Sequence, residues 1–307
     1  MAALRRSSTE IAAVMAEMSA VQAGLVRWNA EIRTRVRRTQ ALTARAYEAL
    51  HDWPGLLAAA RDEPSYGLAY EDPEPLISIP IPTYHSPTIL CERALASVFA
   101  QTYRKWEAIV VGDHCTDDTE EWIRSLGDDR VSFHNLAARE NDPVDPYEAY
   151  AVKGSVPRTT GIQLSRGRWI APLSQDDAWD SDHLATLLIC AREQRAEVVY
   201  SRLRAVGDAP DYPVVRSIGA WPPRYGDFAW QSALFHANLK FLGYDRTCAL
   251  ASEPNDWNLA RRAWEAGVRF HFCDRETGTL FNQYGRLEEL TAAYANLGLP
   301  IEASAMP

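Results

Sequence analysis

Short apolar runs alternate with amphipathic helical stretches from about residue 76 onward, and no other feature constrains the fold as tightly. Leu76–Pro82, Glu107–Val111, Arg130–His134, Arg168–Leu173 and Glu197–Tyr200 have the length and β-branched content of strands. Between them, Ile89–Ala100, Thr119–Leu126, Arg158–Leu164 and Asp182–Gln194 read as helices. This rhythm predicts an α/β fold, a mostly parallel sheet with helices on both faces. In such sheets ligands bind beyond the carboxyl ends of the strands. Polar clusters fall at three such ends: Thr83-Tyr84-His85, Asp113, and Ser174 to Asp177.

The first sixty residues have a different character. Residues 9–50 read as one helix in which Ile11, Val14, Met18, Val21, Leu25, Trp28 and Ile32 recur at spacings of three and four, an a/d heptad seam, with Arg35 at the next d position. Two partners for this seam stay open: a second subunit, giving a homo-oligomer through residues 11–32, or the chain's own globular domain. Residues 1–50 hold eight Arg and four Glu, net +4, so the rest of a chain of net charge −9 carries −13. That balance gives no general attraction to nucleic acid. The stretch 62–75, rich in Pro, Glu and Asp, reads as a linker. Five widely spaced cysteines, with no CxxC pair, argue against a zinc site or a disulfide framework and fit reduced thiols. No apolar run approaches the ~20 residues of a membrane span. No signal peptide is legible, and the expected location is cytoplasmic.

Asp176 and Asp177 follow the fourth strand. Adjacent carboxylates repel one another, so their pairing suggests a compensating hard cation, Mg²⁺ or Mn²⁺, bridging a diphosphate. The competing reading is a helix cap, since Asp-Asp before a helix is a common capping arrangement.

The order and spacing of several motifs resemble family 2 glycosyltransferases of the Rossmann-like GT-A fold over roughly Leu76 to Leu280. Ile79-Pro-Ile-Pro-Thr-Tyr-His85 resembles the family's opening strand and Pro-Thr-Tyr-Asn turn, with His85 for Asn. Ser97-Val-Phe-Ala-Gln-Thr-Tyr103 resembles its Ser-x-x-x-Gln-Thr-Tyr segment. Val111-Gly-Asp-His-Cys-Thr-Asp117 resembles Val-Asp-Asp-Gly-Ser-Thr-Asp, with Gly112 for the first Asp. Arg158-Thr-Thr-Gly161 resembles Arg-Asn-x-Gly. Gly167 to Asp177 resembles the strand entering the acidic metal motif, with Ser174 where many members have Asp.

The resemblance implies roles. Pro82, Thr83, Tyr84 and Asp113 would hold the nucleobase and ribose of a nucleotide-diphosphate sugar, most commonly uridine-linked. Arg158 would approach the diphosphate or donor sugar, its alternative being an ordinary ion pair. Asp176 would contact donor or metal, and Asp177 would be the chief metal ligand. Glu253-Pro-Asn-Asp-Trp257 resembles the family's Glu-Asp-Trp motif, with Asn255 for Glu. Asp256 would then be the catalytic base of an inverting transfer, taking the acceptor's proton. Its alternative is a helix cap by Asn255 or Asp256. Glu253, Trp257 and Trp221 are candidate acceptor contacts.

The processive Gln-x-x-Arg-Trp motif is absent, since Leu287 follows Gln283-Tyr-Gly-Arg286. Transfer of one or a few sugars is therefore expected. The acceptor stays open among sugar, lipid carrier, natural product and peptide. A non-catalytic nucleotide-sugar-binding scaffold is the alternative. The expected organisation is an N-terminal helical extension (1–61), a linker (62–75), a glycosyltransferase domain (76–285, with nucleotide-sugar and acceptor halves at 76–177 and 178–285), and a C-terminal helix or tail (286–307).

Overall fold

The computed structural model describes residues 2–207, 215–251 and 253–281. The Gln283–Arg286 segment and the expected C-terminal tail lie outside the described residues. The chain divides into two compact units, Met1–Leu50 with Leu250–Ser252, and His51–Ala249 with Glu253–Pro307.

The first unit is dominated by one helix, α1 (Ala2–Glu48). No proline interrupts it, and Thr34, Thr39 and Thr43 return their hydroxyls to carbonyls four residues back. Glu31 and Arg35 pair along its surface at 2.6 Å. The seam residues Val14, Met18, Val21, Leu25, Trp28 and Ile32 are all exposed.

The second unit opens with α2 (Trp53–Asp62), whose first turn is capped by the Asp52 carboxylate accepting from the Gly55 amide. The stretch read as a linker carries a helix instead, α3 (Pro64–Glu71). Its composition misleads because Pro64 starts the helix while Tyr66, Ala69 and Tyr70 enter the core.

Nine strands among the described residues form one sheet: β1 (Ile77–Thr83), β2 (Trp106–Gly112), β3 (Val131–Asn135), β4 (Trp169–Ile170), β5 (Ala178–Trp179), β6 (Val198–Val206), β7 (Val215–Ile218), β8 (Ala233–His236) and β9 (Phe270–Phe281). Their order is β3-β2-β1-β4-β8-β6-β9-β5, with β7 on β6. β3, β2, β1 and β4 are mutually parallel, as the βαβ rhythm requires. Beyond β4 the sheet mixes directions: β8 is antiparallel to both β4 and β6, whereas β6 and β9 run parallel. The expected α/β fold is present.

β1 and β2 are buried almost throughout, so their side chains read as continuous apolar runs. Helix Ser155–Leu164 crosses one face of them. Polar side chains stitch this pair to β4. The Ser78 hydroxyl donates to Glu107 (2.6 Å) and accepts from the Gly167 amide (2.7 Å), while Arg166 closes on the same carboxylate. Gly167 is required here, because a Cβ would stand 2.5 Å from the Leu76 carbonyl oxygen.

Glu197, fully buried at the start of β6, ties α2 and α3 to the sheet. Arg61 engages it through two nitrogens (2.7 and 2.8 Å), the Tyr66 hydroxyl donates at 2.7 Å, and the Arg269 amide donates at 2.8 Å. Burial alone pushes this carboxyl up, but these donors outweigh it and hold it below the usual range. Among the described residues no helix is long and apolar enough to cross a membrane.

Breaking the Glu197 cluster leaves Arg61 and Tyr66 without their acceptor. Glu197→Ala is therefore expected to cost about 3 kcal/mol and lower Tm by roughly 6–10 °C, measured by differential scanning calorimetry. A second outcome concerns pH. His183 is buried, stacks on Trp179 and is held neutral, its imidazole pushed down to about 3 by desolvation. The unfolded chain takes up this proton below about 6.5 while the folded chain refuses it, so the stability it supports is full above that pH and lost as pH falls towards 3. Unfolding free energies from urea titrations at pH 7 and pH 5 should differ by about 2 kcal/mol more in wild type than in His183→Gln.

Candidate functional site

At the carboxyl edge of β1 and β2, and opposite the first turn of helix Asn255–Glu265, the second unit forms a cleft of ≈ 260 Å³. Pro82, Thr83, Tyr84, Asp113, Arg158, Asp176 and Asp256, the residues expected for donor binding and base, all line it. They converge for a topological reason. Parallel β1 and β2 end on the same edge, with Thr83 beside Gly112 in register.

The acidic turn closes the floor through Gln175. Its side-chain oxygen accepts from the Thr83 hydroxyl (2.6 Å) and from the Tyr84 amide (2.9 Å), fixing the turn after β1 against the chain leaving β4. His85 has a left-handed backbone (φ 45°) and accepts the Thr116 amide at 3.0 Å, joining the ends of β1 and β2. The two acidic side chains part company. Asp176 is half-buried and reaches the cleft. Asp177 is 1% exposed, and its Oδ1 accepts from the Phe281 amide at 3.0 Å. In this structure Asp177 thus points into the protein rather than into the cleft. Neither caps a helix, because helix His183–Gln194 begins after Asp182.

At one end of the cleft Asp113 lies nearly buried. Its amide donates to the Thr83 carbonyl (2.9 Å), and its Oδ2 is 3.2 Å from Arg139 Nε. Burial raises the Asp113 carboxyl above its usual value, and the Arg139 charge opposes that rise. The Arg139 guanidinium also sits over the Tyr84 ring, 4.7 Å from its centroid. Arg139 was not among the expected site residues; it lies in the connection between β3 and helix Pro146–Val152.

Arg158, from helix Ser155–Leu164, faces the other wall. Its Nη1 donates to the Asn255 side-chain oxygen (3.2 Å) and to the Lys153 carbonyl (3.5 Å). Both acceptors are neutral, and among the described residues no carboxylate pairs with this guanidinium. Asn255 is buried and donates in turn to Ser155 Oγ (2.8 Å) and the Lys153 carbonyl (3.0 Å), so it orients Arg158 instead of capping its helix. Asp256, one residue on, lies in the positive first turn of helix Asn255–Glu265, its Oδ1 accepting from the Trp257 amide at 2.8 Å.

The structure accounts for the departures at Gly112 and Ser174 as well. A Cβ at position 112 would lie 2.7 Å from Asn135 Oδ1, an atom that accepts the Cys115 amide at 2.8 Å. The Ser174 hydroxyl accepts from Gln231 in the cleft wall at 2.7 Å. The acceptor candidates lie outside the cleft lining. Glu253 pairs with Arg261 at 2.9 Å, Trp257 meets Tyr225 edge-on, and Trp221 is exposed and packs on Trp264. Lys153, Tyr150 and Gln231 line the cleft without having been expected. Among the described residues no group of three His, Cys, Asp or Glu side chains is arranged to hold a metal.

Residues 78–142, which carry Pro82, Thr83, Tyr84, Asp113 and Arg139 of this cleft, match the model of Glycosyl transferase family 2. Over this segment the chain is similar to that family. It is 31% identical over 116 residues to the putative colanic acid biosynthesis glycosyl transferase WcaA of Escherichia coli K12, covering 37% of each chain. It is 26% identical over 133 residues to the Escherichia coli UDP-Glc:alpha-D-GlcNAc-diphosphoundecaprenol beta-1,3-glucosyltransferase WfgD, covering 43% of this chain and 47% of that one. The match thus spans under half the length of these relatives. Among solved structures, S. aureus TarS 1–349 in complex with UDP superposes with a TM-score of 0.53 at 17% identity, over 74% of this chain and 67% of that one. This likeness shows that the two chains share a fold.

The Gly112 site has no room for the Asp of the motif that this segment resembles, since a Cβ there already lies 2.7 Å from Asn135 Oδ1. Gly112→Asp should therefore destabilise the fold by about 1–3 kcal/mol through overpacking against Asn135, read as a lower thermal midpoint. An unchanged midpoint would show that the Asn135 amide is free to move aside.

Proposed function

We propose that this chain transfers a glycosyl group from a nucleoside-diphosphate sugar, uridine-linked, to an acceptor hydroxyl with inversion. One observation carries the reading. A single cleft holds an aromatic-and-ionic end, a guanidinium hydrogen-bonded to neutral acceptors, and two further carboxylates, Asp176 and Asp256.

The Tyr84 ring offers a stacking face. Asp113 accepts and Arg139 donates side by side, the complement of an N–H next to a carbonyl on a pyrimidine edge. Arg158 meets the diphosphate, where its planar donors match phosphate oxygens and offset the charge of the leaving group. Asp256 lines the same cleft and is the general base of this reading. As the acceptor oxygen attacks the anomeric carbon and the sugar–phosphate bond breaks, Asp256 removes the acceptor's proton, and the nucleoside diphosphate departs.

The residues present fit a divalent cation. Mg²⁺ and Mn²⁺ sites of this kind need only one or two carboxylates besides the substrate phosphates, and Asp176 provides one in the cleft. A bound cation would neutralise charge on the departing diphosphate. A lipid-linked sugar is the first acceptor to test, since the relative WfgD is named for a diphosphoundecaprenol-linked substrate.

Calorimetric titration of UDP is expected to give saturable binding, weakened about tenfold or more in Asp113→Ala and in Arg158→Ala. With donor bound, Asp256→Asn should lower kcat by about 10²–10⁴ while leaving donor affinity unchanged. Chelation with EDTA and Asp176→Asn should each depress turnover. Tight UDP binding with no turnover, and with Asp256→Asn indistinguishable from wild type, would support a nucleotide-sugar-binding scaffold instead.

A further inference from the structure

Helix α1 displays its heptad seam on the outside. Met18 is 68% exposed, Leu25 57% and Trp28 61%, and the flanking Met15 and Val36 are exposed as well. A continuous apolar stripe of this length on a solvated helix marks an interaction surface. The charges beside the stripe say what covers it.

With Val14, Val21, Trp28, Arg35 and Leu42 at d, the a positions are Met18, Leu25, Ile32 and Thr39. The flanking g positions are then Glu17, Gly24, Glu31 and Arg38, and the flanking e positions Met15, Gln22, Asn29 and Val36. In a parallel pair, g residues meet e residues of the partner. Here that would set Glu17 against Gln22, Glu31 against Val36, and Arg35 against its own copy in the core, with no opposite charges joined.

In an antiparallel pair, g faces g, e faces e, and a packs on d. One register then satisfies every layer. Leu25 packs on the partner's Trp28, Val21 on the partner's Ile32, Met18 on the partner's Arg35, and Val14 on the partner's Thr39. Glu17 meets the partner's Arg38, Met15 meets the partner's Val36, and Gln22 meets the partner's Asn29. Glu17 and Arg38 are both exposed, and neither has an opposite charge three or four residues away in its own helix. Arg35, the one charge on the seam, is held at its edge by Glu31.

We propose that α1 binds α1 of a second copy of this chain as an antiparallel two-stranded coiled coil, centred on the Leu25–Trp28 layer and fixed in register by Glu17–Arg38 pairs. The pairing is two-fold symmetric, so each dimer holds two copies of every contact named.

Sedimentation equilibrium on the full chain tests this. Wild type should form a dimer. Leu25→Arg should make it monomeric with an unchanged circular dichroism spectrum, because the side chain is already exposed in the monomer. Glu17→Arg and Arg38→Glu should each raise the dimer dissociation constant about tenfold, and the double swap Glu17→Arg/Arg38→Glu should bring it back to near wild type. A parallel dimer would show no such rescue. A chain that is monomeric at all concentrations, a dimer unaffected by Leu25→Arg, or a double swap no better than the single changes would overturn the proposal.

Discussion

The central strand β1 lies between β2 and β4 with both of its faces covered, and both its neighbours run parallel to it. Buried backbone must satisfy its own hydrogen bonds, so a strand in this position has no freedom of register or direction. Parallel strands necessarily finish on one edge. The turns after β1 and β2, and the chain leaving β4, are thus delivered together, and the cleft is the space they enclose. Everything that binds there depends on Ile77, Ile79 and Ile81 staying packed.

On that frame the polar site is assembled by neutral side chains more than by charged ones. Gln175 locks the Tyr84 turn, Asn255 aims Arg158, and Gln231 holds Ser174. Neutral amides suit this task in a half-buried cleft. They set geometry through directional hydrogen bonds without cancelling nearby charge. Asp113 and Arg139 follow a different rule, since each partly neutralises the other. The cleft is thereby polarised along its length, from an ion pair beside an aromatic ring to a guanidinium that meets neutral acceptors.

The same distinction explains the departures from the family pattern at Gly112, Ser174 and Asn255. Each looks like a lost functional group when only the motif is compared. In the folded chain, position 112 is filled by the Asn135 amide, Ser174 is a hydrogen-bond acceptor for the cleft wall, and Asn255 serves Arg158. These are exchanges of packing and positioning, made within a few ångströms of the cleft.

Much was legible in the order of residues alone. Strand and helix periodicity, the polar strand ends and the seam of α1 depend on local spacing, which a linear sequence records directly. Local spacing put Tyr84, Asp113 and Asp176 at strand ends, the motif resemblance pointed to Arg158 and Asp256, and all five line one cleft. What only the tertiary structure decided are the facts that rest on which distant side chains meet. Asp177 turns inward because its carboxylate accepts from the Phe281 amide, 104 positions away. Arg139 joins the site because its loop folds back over Tyr84. The Pro-rich stretch 62–75 contains the helix Pro64–Glu71, whose Tyr66 donates to Glu197 and whose Ala69 carbonyl accepts from Trp169. Spacing along the chain carries no information about such partners, since each bond is set by the fold that brings its two ends together.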